Sequence, residues 1–215
     1  MIRTERLIIL ATTKVGDKSL VLHTFCRELG RRSFIVTAGK GMAMYMPLSI
    51  LDAEVIENAK SDLWRLRGTA PTTPLGGIRS SIGKTSITMF ISEVLFRTLK
   101  EGMCDPGLFD WAEKSILTLD ALGGDYANYH LRFLLELATA LGFTPGAEDI
   151  APFAGDHYSS ILELLQRDFA SSMLLPLKGS DRNAIASAIL KYLSHHTESA
   201  INVQSLKVLG ELYSR

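Results

Sequence analysis

The chain has 215 residues, 47% of them apolar and 21% charged, with 23 basic and 23 acidic side chains that cancel; that is the composition of an ordinary soluble globular protein of one or two domains with a sizeable core. The most apolar stretch, Leu131–Phe143, is too short to span a bilayer and carries Arg132 and Glu136, and the amino terminus shows no cleavable signal pattern, so no membrane partner and a cytoplasmic location are expected. The two cysteines, Cys26 and Cys104, are far apart and form no CxxC pair, which argues against a disulfide framework and against a zinc cluster.

The zero net charge hides a polarity. Residues 1–80 hold twelve cations and seven anions, an excess of +5, which leaves −5 for the rest. A basic first part facing a polyanion and a second part with another task is the reading this suggests.

The first elements read as strands. Arg6–Thr13 is β-rich, and Val15-Gly16-Asp17-Lys18 is turn chemistry. Ser19–Cys26 alternates, with Leu20, Leu22, Thr24 and Cys26 on one face and Val21, His23 and Phe25 on the other. After the turn Arg27–Gly30 comes Arg31–Ala38, with Phe34, Val36 and Ala38 on one side. Leu48–Asn58 sets Leu51, Ala53 and Val55 against Asp52, Glu54 and Ile56, and Asp62–Gly68 sets Trp64 and Leu66 against Leu63, Arg65 and Arg67. Five short strands with no helix between them predict a small Greek-key barrel of the OB type, and by counting alone an SH3-like barrel fits nearly as well.

The loop Gly68–Gly77 closes this region, so the expected fold class is α+β: a five-stranded OB-fold barrel over residues 1–77, then an all-α helical domain over 78–215. Ile87, Phe90, Ile91, Val94, Leu95 and Leu99 take up helical spacing. A second helix is predicted from Pro106 to Leu122, stopped by Gly123-Gly124. A third, Tyr126–Leu141, is apolar nearly all round and should be central and buried, with Gly142 as its stop. Thr144–His157 lacks periodicity and reads as a long loop. Shorter helices are expected at Ser159–Phe169, at Asp181–Ser194 with Ser180 or Asp181 as cap, and at Val203–Leu212.

The chemistry-like motifs are weak. Gly83-Lys84-Thr85 resembles the end of a phosphate-binding loop, but position 78, where that loop needs glycine, is Ile78. The five histidines show no ligand spacing, and no Ser or Cys stands in a nucleophile elbow. No catalytic constellation, metal site or cofactor is expected. The candidate DNA-binding residues are the cations of the barrel. Arg65 and Arg67 sit two apart on a strand and can follow successive phosphates. Arg31 and Arg32 lie at a turn-to-strand junction, and Lys14, Lys18 and Lys40 flank the turns. The loop Gly41–Met46 is apolar, and Met42, Met44, Tyr45 and Met46 fit a core plug better than a base-stacking surface.

The order of parts carries a resemblance. Ile8–Gly41 (IILATTKVGDKSLVLHTFCRELGRRSFIVTAGKG), Asn128–Pro145 (NYHLRFLLELATALGFTP) and Ser205–Leu209 (SLKVL) stand in the order and spacing of the RecO family of bacterial recombination mediators, in the compact form found in Bacteroides-like bacteria. The resemblance covers almost the full length. It implies an OB-fold joined to a helical domain and a non-enzymatic, nucleoid-associated protein. It implies binding of single- and double-stranded DNA, annealing of complementary strands, and loading of RecA together with RecR onto DNA coated by single-strand-binding protein. It also implies docking of that protein's acidic C-terminal tail on the helical domain, where Arg132 occupies the matching position for gripping the tail carboxylate. Zinc-binding cysteines found in many relatives after the "LGF-P" segment are missing here, so no zinc is expected. A protein–protein adaptor with little DNA affinity is the alternative.

Overall fold

A computed structural model of the chain describes residues 2–37, 39, 41–58, 60, 61 and 63–213. Ala38 and Asp62, expected to end the third strand and begin the fifth, lie outside them. The chain forms two compact units. One is the chain up to Gly76 together with Leu99–Leu117, and the other is Gly77–Thr98 with the chain from Thr118 on.

The first unit is built on β1 (Ile2–Val15), β2 (Ser19–Cys26), β3 (Gly30–Thr37), β4 (Ile50–Ile56) and β5 (Trp64–Pro71), closed in the order β1-β2-β3-β5-β4. Every neighbouring pair is antiparallel except β3 and β5, which run parallel. That order is the OB-type arrangement and decides between the two barrels that strand counting left open. The predicted alternation sets the interior: Leu20, Leu22, Cys26, Phe34, Val36, Leu51, Ala53 and Val55 share one core with Leu7 and Ile9. Each Leu, Ile, Val and Phe among them contributes about 1.5–3 kcal/mol by leaving water.

β1 is longer than its sequence pattern because it serves two neighbours, Ile2–Ile8 pairing with β4 and Leu7–Val15 with β2 across a bulge between Ile9 and Ala11. Leu7, Ile8, Ile9 and Leu10 are all buried, so this strand is covered on both faces. On the outer side, Phe25 of β2 meets Phe109 of α3 (Pro106–Ala121) with ring centroids 5.4 Å apart. Arg6 pairs with Asp52 and Glu113, and Arg27 with Asp110 and Glu28. Gly30 is required twice over: its φ is +66°, and a Cβ there would lie 2.0 Å from the Met103 carbonyl oxygen. Between β3 and β4 a single 3-10 turn, Met42–Tyr45, packs Met44 and Tyr45 against the core, and the Tyr45 hydroxyl lies 2.9 Å from the Thr69 Oγ1. This part of the Met-rich loop is a plug, as the sequence suggested, while Met42 and Met46 stay exposed.

The second unit is helical: α1 (Gly76–Arg79), α2 (Ile82–Thr98), the end of α3, α4 (Tyr129–Ala140), α5 (Ala147–Ala154), a 3-10 turn (Gly155–His157), α6 (Tyr158–Gln166), α7 (Phe169–Met173), α8 (Gly179–Thr197) and α9 (Ser205–Tyr213). α4 buries Leu131, Phe133, Leu134, Leu135, Leu137 and Ala138, the central role its all-round apolar pattern required. Two expectations fail here. The segment read as a loop, Thr144–His157, contains α5, whose entry is fixed by the Asp149 carboxylate accepting from the Gly146 N–H at 3.1 Å. Eight residues with Pro152 inside are too short to display a helical period. α8 starts earlier than predicted, at Gly179 after Lys178, with no side-chain cap from Ser180 or Asp181. Asp181 instead sits in the first turn, where its charge favours the helix dipole.

The two thiols differ in a way that labelling reads directly. Cys26 is buried in the barrel, and burial pushes its thiol up to about 12, while Cys104 is exposed. A disulfide reagent is expected to titrate one thiol rapidly in the native protein and the second only in denaturant. Two fast thiols at neutral pH would contradict the barrel core.

Candidate nucleic-acid interface

The cations singled out in the sequence separate into distinct environments. Arg31 and Arg32 are adjacent on β3 and so point to opposite faces of the sheet. The Arg31 guanidinium donates to the Leu99 carbonyl at 2.9 Å, and its own carbonyl accepts from the Gly102 N–H at 2.9 Å. It thereby binds the 99–103 segment of its own unit. Arg32 shares the inward parity of Phe34 and Val36, pairs opposite the buried Thr24, and stacks over the Trp64 ring at 3.9 Å. Lys14 is opposite Leu20, which places it on the inner side of the β1–β2 hairpin near its tip, exposed beyond the barrel core. Lys18 is exposed in the turn itself. Lys40 lies outside the described residues.

Arg65 and Arg67 are brought together. Both are exposed on β5, and the pairing of Arg65 with Ile35 sets it on the outer surface of the barrel. Among the described residues Lys14, Lys18, Arg65 and Arg67 enter no ion pair, whereas Arg3, Arg6, Arg27, Arg97, Arg132 and Arg167 each have a carboxylate partner. A cation already neutralised has less to offer a phosphate, so this sorting identifies the available charge better than the net count. The net count itself shrinks on folding. With eleven cations and seven anions up to Gly76, and two and four in Leu99–Leu117, the barrel unit carries +2, not the +5 of residues 1–80.

Beside Arg65 the barrel wall opens. Among the described residues β3 and β5 pair at Phe34–Trp64 and Ile35–Arg65, after which β3 runs on to Thr37 and β5 to Pro71. A groove of about 210 Å³ lies there, lined by Ser19, Ile35, Thr37, Arg65 and Leu66. The unpaired Arg65 lines this opening, and Lys18 precedes its lining residue Ser19 in the chain.

The outer face of β1–β3 also carries a network that sequence reading did not find. His23 Nε2 lies 3.1 Å from Thr13 Oγ1, and its Nδ1 2.9 Å from Ser33 Oγ. Burial, with the Arg31 charge, holds this imidazole below its ordinary value, so at neutral pH it is a hydrogen-bonding link and not a cation. The i, i+2 alternation of β2 placed His23 outward, but its partners lie ten residues away on either side.

In the helical unit Arg132 is largely committed. Its Nε donates to Glu136 at 2.7 Å and one terminal nitrogen donates to the Leu164 and Arg167 carbonyls, both at 3.0 Å, closing the end of α6. The phosphate-loop look-alike is likewise spent on structure. Lys84 is buried and donates to the Asp120 carbonyl at 2.9 Å and to that of Leu122, gripping the end of α3. A Cβ at Gly77 would fall 2.0 Å from the same Asp120 oxygen. Among the described residues no cluster of His, Cys, Asp and Glu could hold a metal, and no helix is long and apolar enough to cross a membrane.

Residues 79–151 match the family model described as "Recombination protein O C terminal". The proteins named "DNA repair protein RecO" from Phocaeicola vulgatus, Bacteroides fragilis and Flavobacterium johnsoniae are 27%, 25% and 27% identical to this chain, each alignment covering 96% of it and 97% of the relative. The similarity to RecO proteins thus spans nearly the whole chain. The segment matched by the family model runs from α1 to α5 and includes the buried helix α4, whereas the open groove and the unpaired arginines lie in the barrel.

Proposed function

We propose that the chain acts in DNA repair and homologous recombination as a non-enzymatic DNA-handling protein. Its unpaired barrel cations neutralise phosphates on two strands, lowering their mutual repulsion so that complementary strands anneal. With RecR it helps load RecA onto single strands coated by single-strand-binding protein, and the acidic tail of that protein docks on the helical unit. The observation that carries the reading is the pair Arg65 and Arg67, exposed and without an ion-pair partner among the described residues of an OB-type barrel. For the tail, Arg132 offers what remains of its five donors, chiefly its second terminal nitrogen.

Fluorescence anisotropy of a labelled single strand across a salt series tests this. Lys14, Lys18, Arg65 and Arg67 together contribute about −3 to the log–log slope, from roughly −0.7 per neutralised phosphate on single strands. The triple variant Lys18→Ala/Arg65→Ala/Arg67→Ala should make the slope shallower by about 2. Salt-insensitive or absent binding, for the protein alone and with RecR, would sink the reading. The barrel unit's modest +2 and its exposed Met42 and Met46 favour one competitor, an adaptor that binds partner proteins and holds DNA weakly. Tight binding of a tail peptide alongside negligible DNA affinity would select it.

A further inference from the structure

The parting of β3 and β5 gives the barrel a feature that phosphate neutralisation does not need. From it we infer that the groove between these strands is a pocket for one unpaired nucleotide, so that the protein distinguishes single strands from duplex. The inference rests on the DNA-binding reading above and assigns it a substrate class. The groove holds about 210 Å³, roughly the space of seven liquid waters. One nucleobase fits such a volume and a base pair does not. Its walls suit a nucleotide part by part. Ile35 and Leu66 supply apolar surface for the base, Ser19 and Thr37 supply hydroxyls for base or sugar edges, and Arg65 stands at the wall for the phosphate. Lys18, next to Ser19, and Arg67, two residues beyond Arg65 on the same face, extend the cationic track for the phosphates on either side.

The fold explains why the space exists. Among the described residues a parallel β3–β5 pairing of two positions closes the barrel between these strands. β3 continues to Thr37 along β2, where Ser19 faces Thr37, while β5 continues along β4, where Arg67 faces Glu54. The two strands are therefore held apart by their outer partners, and the opening is part of the folded barrel. A base within a duplex is stacked and paired and cannot enter; a base on a single strand can, at a low unstacking cost.

The test compares affinities of the full-length protein for a 20-nucleotide oligothymidine strand and for a hairpin duplex of equal phosphate count, by anisotropy at fixed salt. The double variant Ser19→Leu/Thr37→Leu fills the groove without altering charge. The ratio of single-strand to duplex affinity is expected to fall at least tenfold. An unchanged ratio would overturn the pocket while leaving DNA binding intact, whereas no binding of either ligand by the unmodified protein would overturn the DNA-binding reading itself. A second measurement needs no substitution. Irradiation of the wild-type protein with a strand carrying 4-thiothymidine should crosslink within Ile35–Thr37 or Arg65–Arg67. Crosslinks confined to other segments would overturn the assignment.

Discussion

Asn128→Leu is expected to lower the stability of the helical unit by about 3–5 kcal/mol, read as a drop in the midpoint of urea unfolding followed by far-ultraviolet ellipticity. Asn128 is fully buried. Its amide nitrogen donates to the carbonyls of Ser172, Met173 and Leu175 at 3.0, 3.3 and 2.8 Å, and its Oδ1 accepts from Arg182 Nε at 2.7 Å. One side chain at the start of α4 thus holds the end of α7, the segment after it, and α8. Leucine has the volume but strands three carbonyls and a guanidinium N–H away from water. Asn128→Asp isolates the donor half, since it keeps an acceptor for Arg182 and removes the N–H groups; a loss of about 2–4 kcal/mol is expected. If Asn128→Leu were tolerated within about 1 kcal/mol, the side chain would be filling space and not joining the three segments.

Asn128 also marks the limit of what the sequence discloses. It stands at the head of the Asn128–Pro145 run that carried the family resemblance, yet its partners come 44 to 54 residues later and nothing local announces them. The barrel was legible because its signals are local. Alternation along β2, β3 and β4 named its inner face, and the Gly16 and Gly30 turns punctuated it. α5 was not legible, because its length hides any period. Nor was Glu93, on α2, whose carboxylate accepts from the N–H groups of Gln204 and Ser205 and from the Ser205 hydroxyl at 3.0, 2.9 and 2.6 Å, anchoring the start of α9. Burial alone would raise the Glu93 carboxyl, but these three bonds prevail and hold it below its ordinary value.

The candidate interface was legible only in part, for a related reason. Residue spacing told which cations could share a strand face, and Arg65 with Arg67 behave accordingly. It could not tell which cations the fold would consume. Arg31 is spent on Leu99, Arg32 on Trp64, and Lys84 on the end of α3. A summed charge counts these equally with Lys18 or Arg65, although a guanidinium already bonded in the fold gives up that bond before it can reach a phosphate. The groove was invisible for a different reason: it arises from where β3 and β5 stop pairing, which depends on the strands outside them.

Lowering the pH from 7 to 5 is expected to cost the helical unit about 2 kcal/mol through a single side chain, His130. This imidazole lies on α4, is fully buried, and meets the Phe90 ring edge-on at 5.8 Å. Burial, with the nearby Arg182 charge acting in the same direction, holds it down to about 3 against 6.5 for a free imidazole, and its bond to Ala127 offsets only part of this. Above about pH 7 the ring is neutral in both folded and unfolded chains, and the term vanishes. Between 6.5 and about 3 the unfolded chain takes up a proton that the folded chain refuses. Stability therefore falls with pH, by about 1.4 kcal/mol per unit, until the loss reaches about 4–5 kcal/mol near pH 3. The coupling to the first prediction is direct, because Arg182 is the residue that Asn128 holds. Protonating His130 would set a buried cation beside the Arg182 charge. His130→Phe keeps a ring against Phe90 but cannot titrate. It forfeits the Ala127 bond at every pH, a constant cost of about 1 kcal/mol, and should flatten the acid limb of the urea midpoint by about 2 kcal/mol between pH 7 and 5. The slope separates titration from packing: parallel pH profiles for wild type and His130→Phe would show that His130 is not the group that loosens the helical unit in acid.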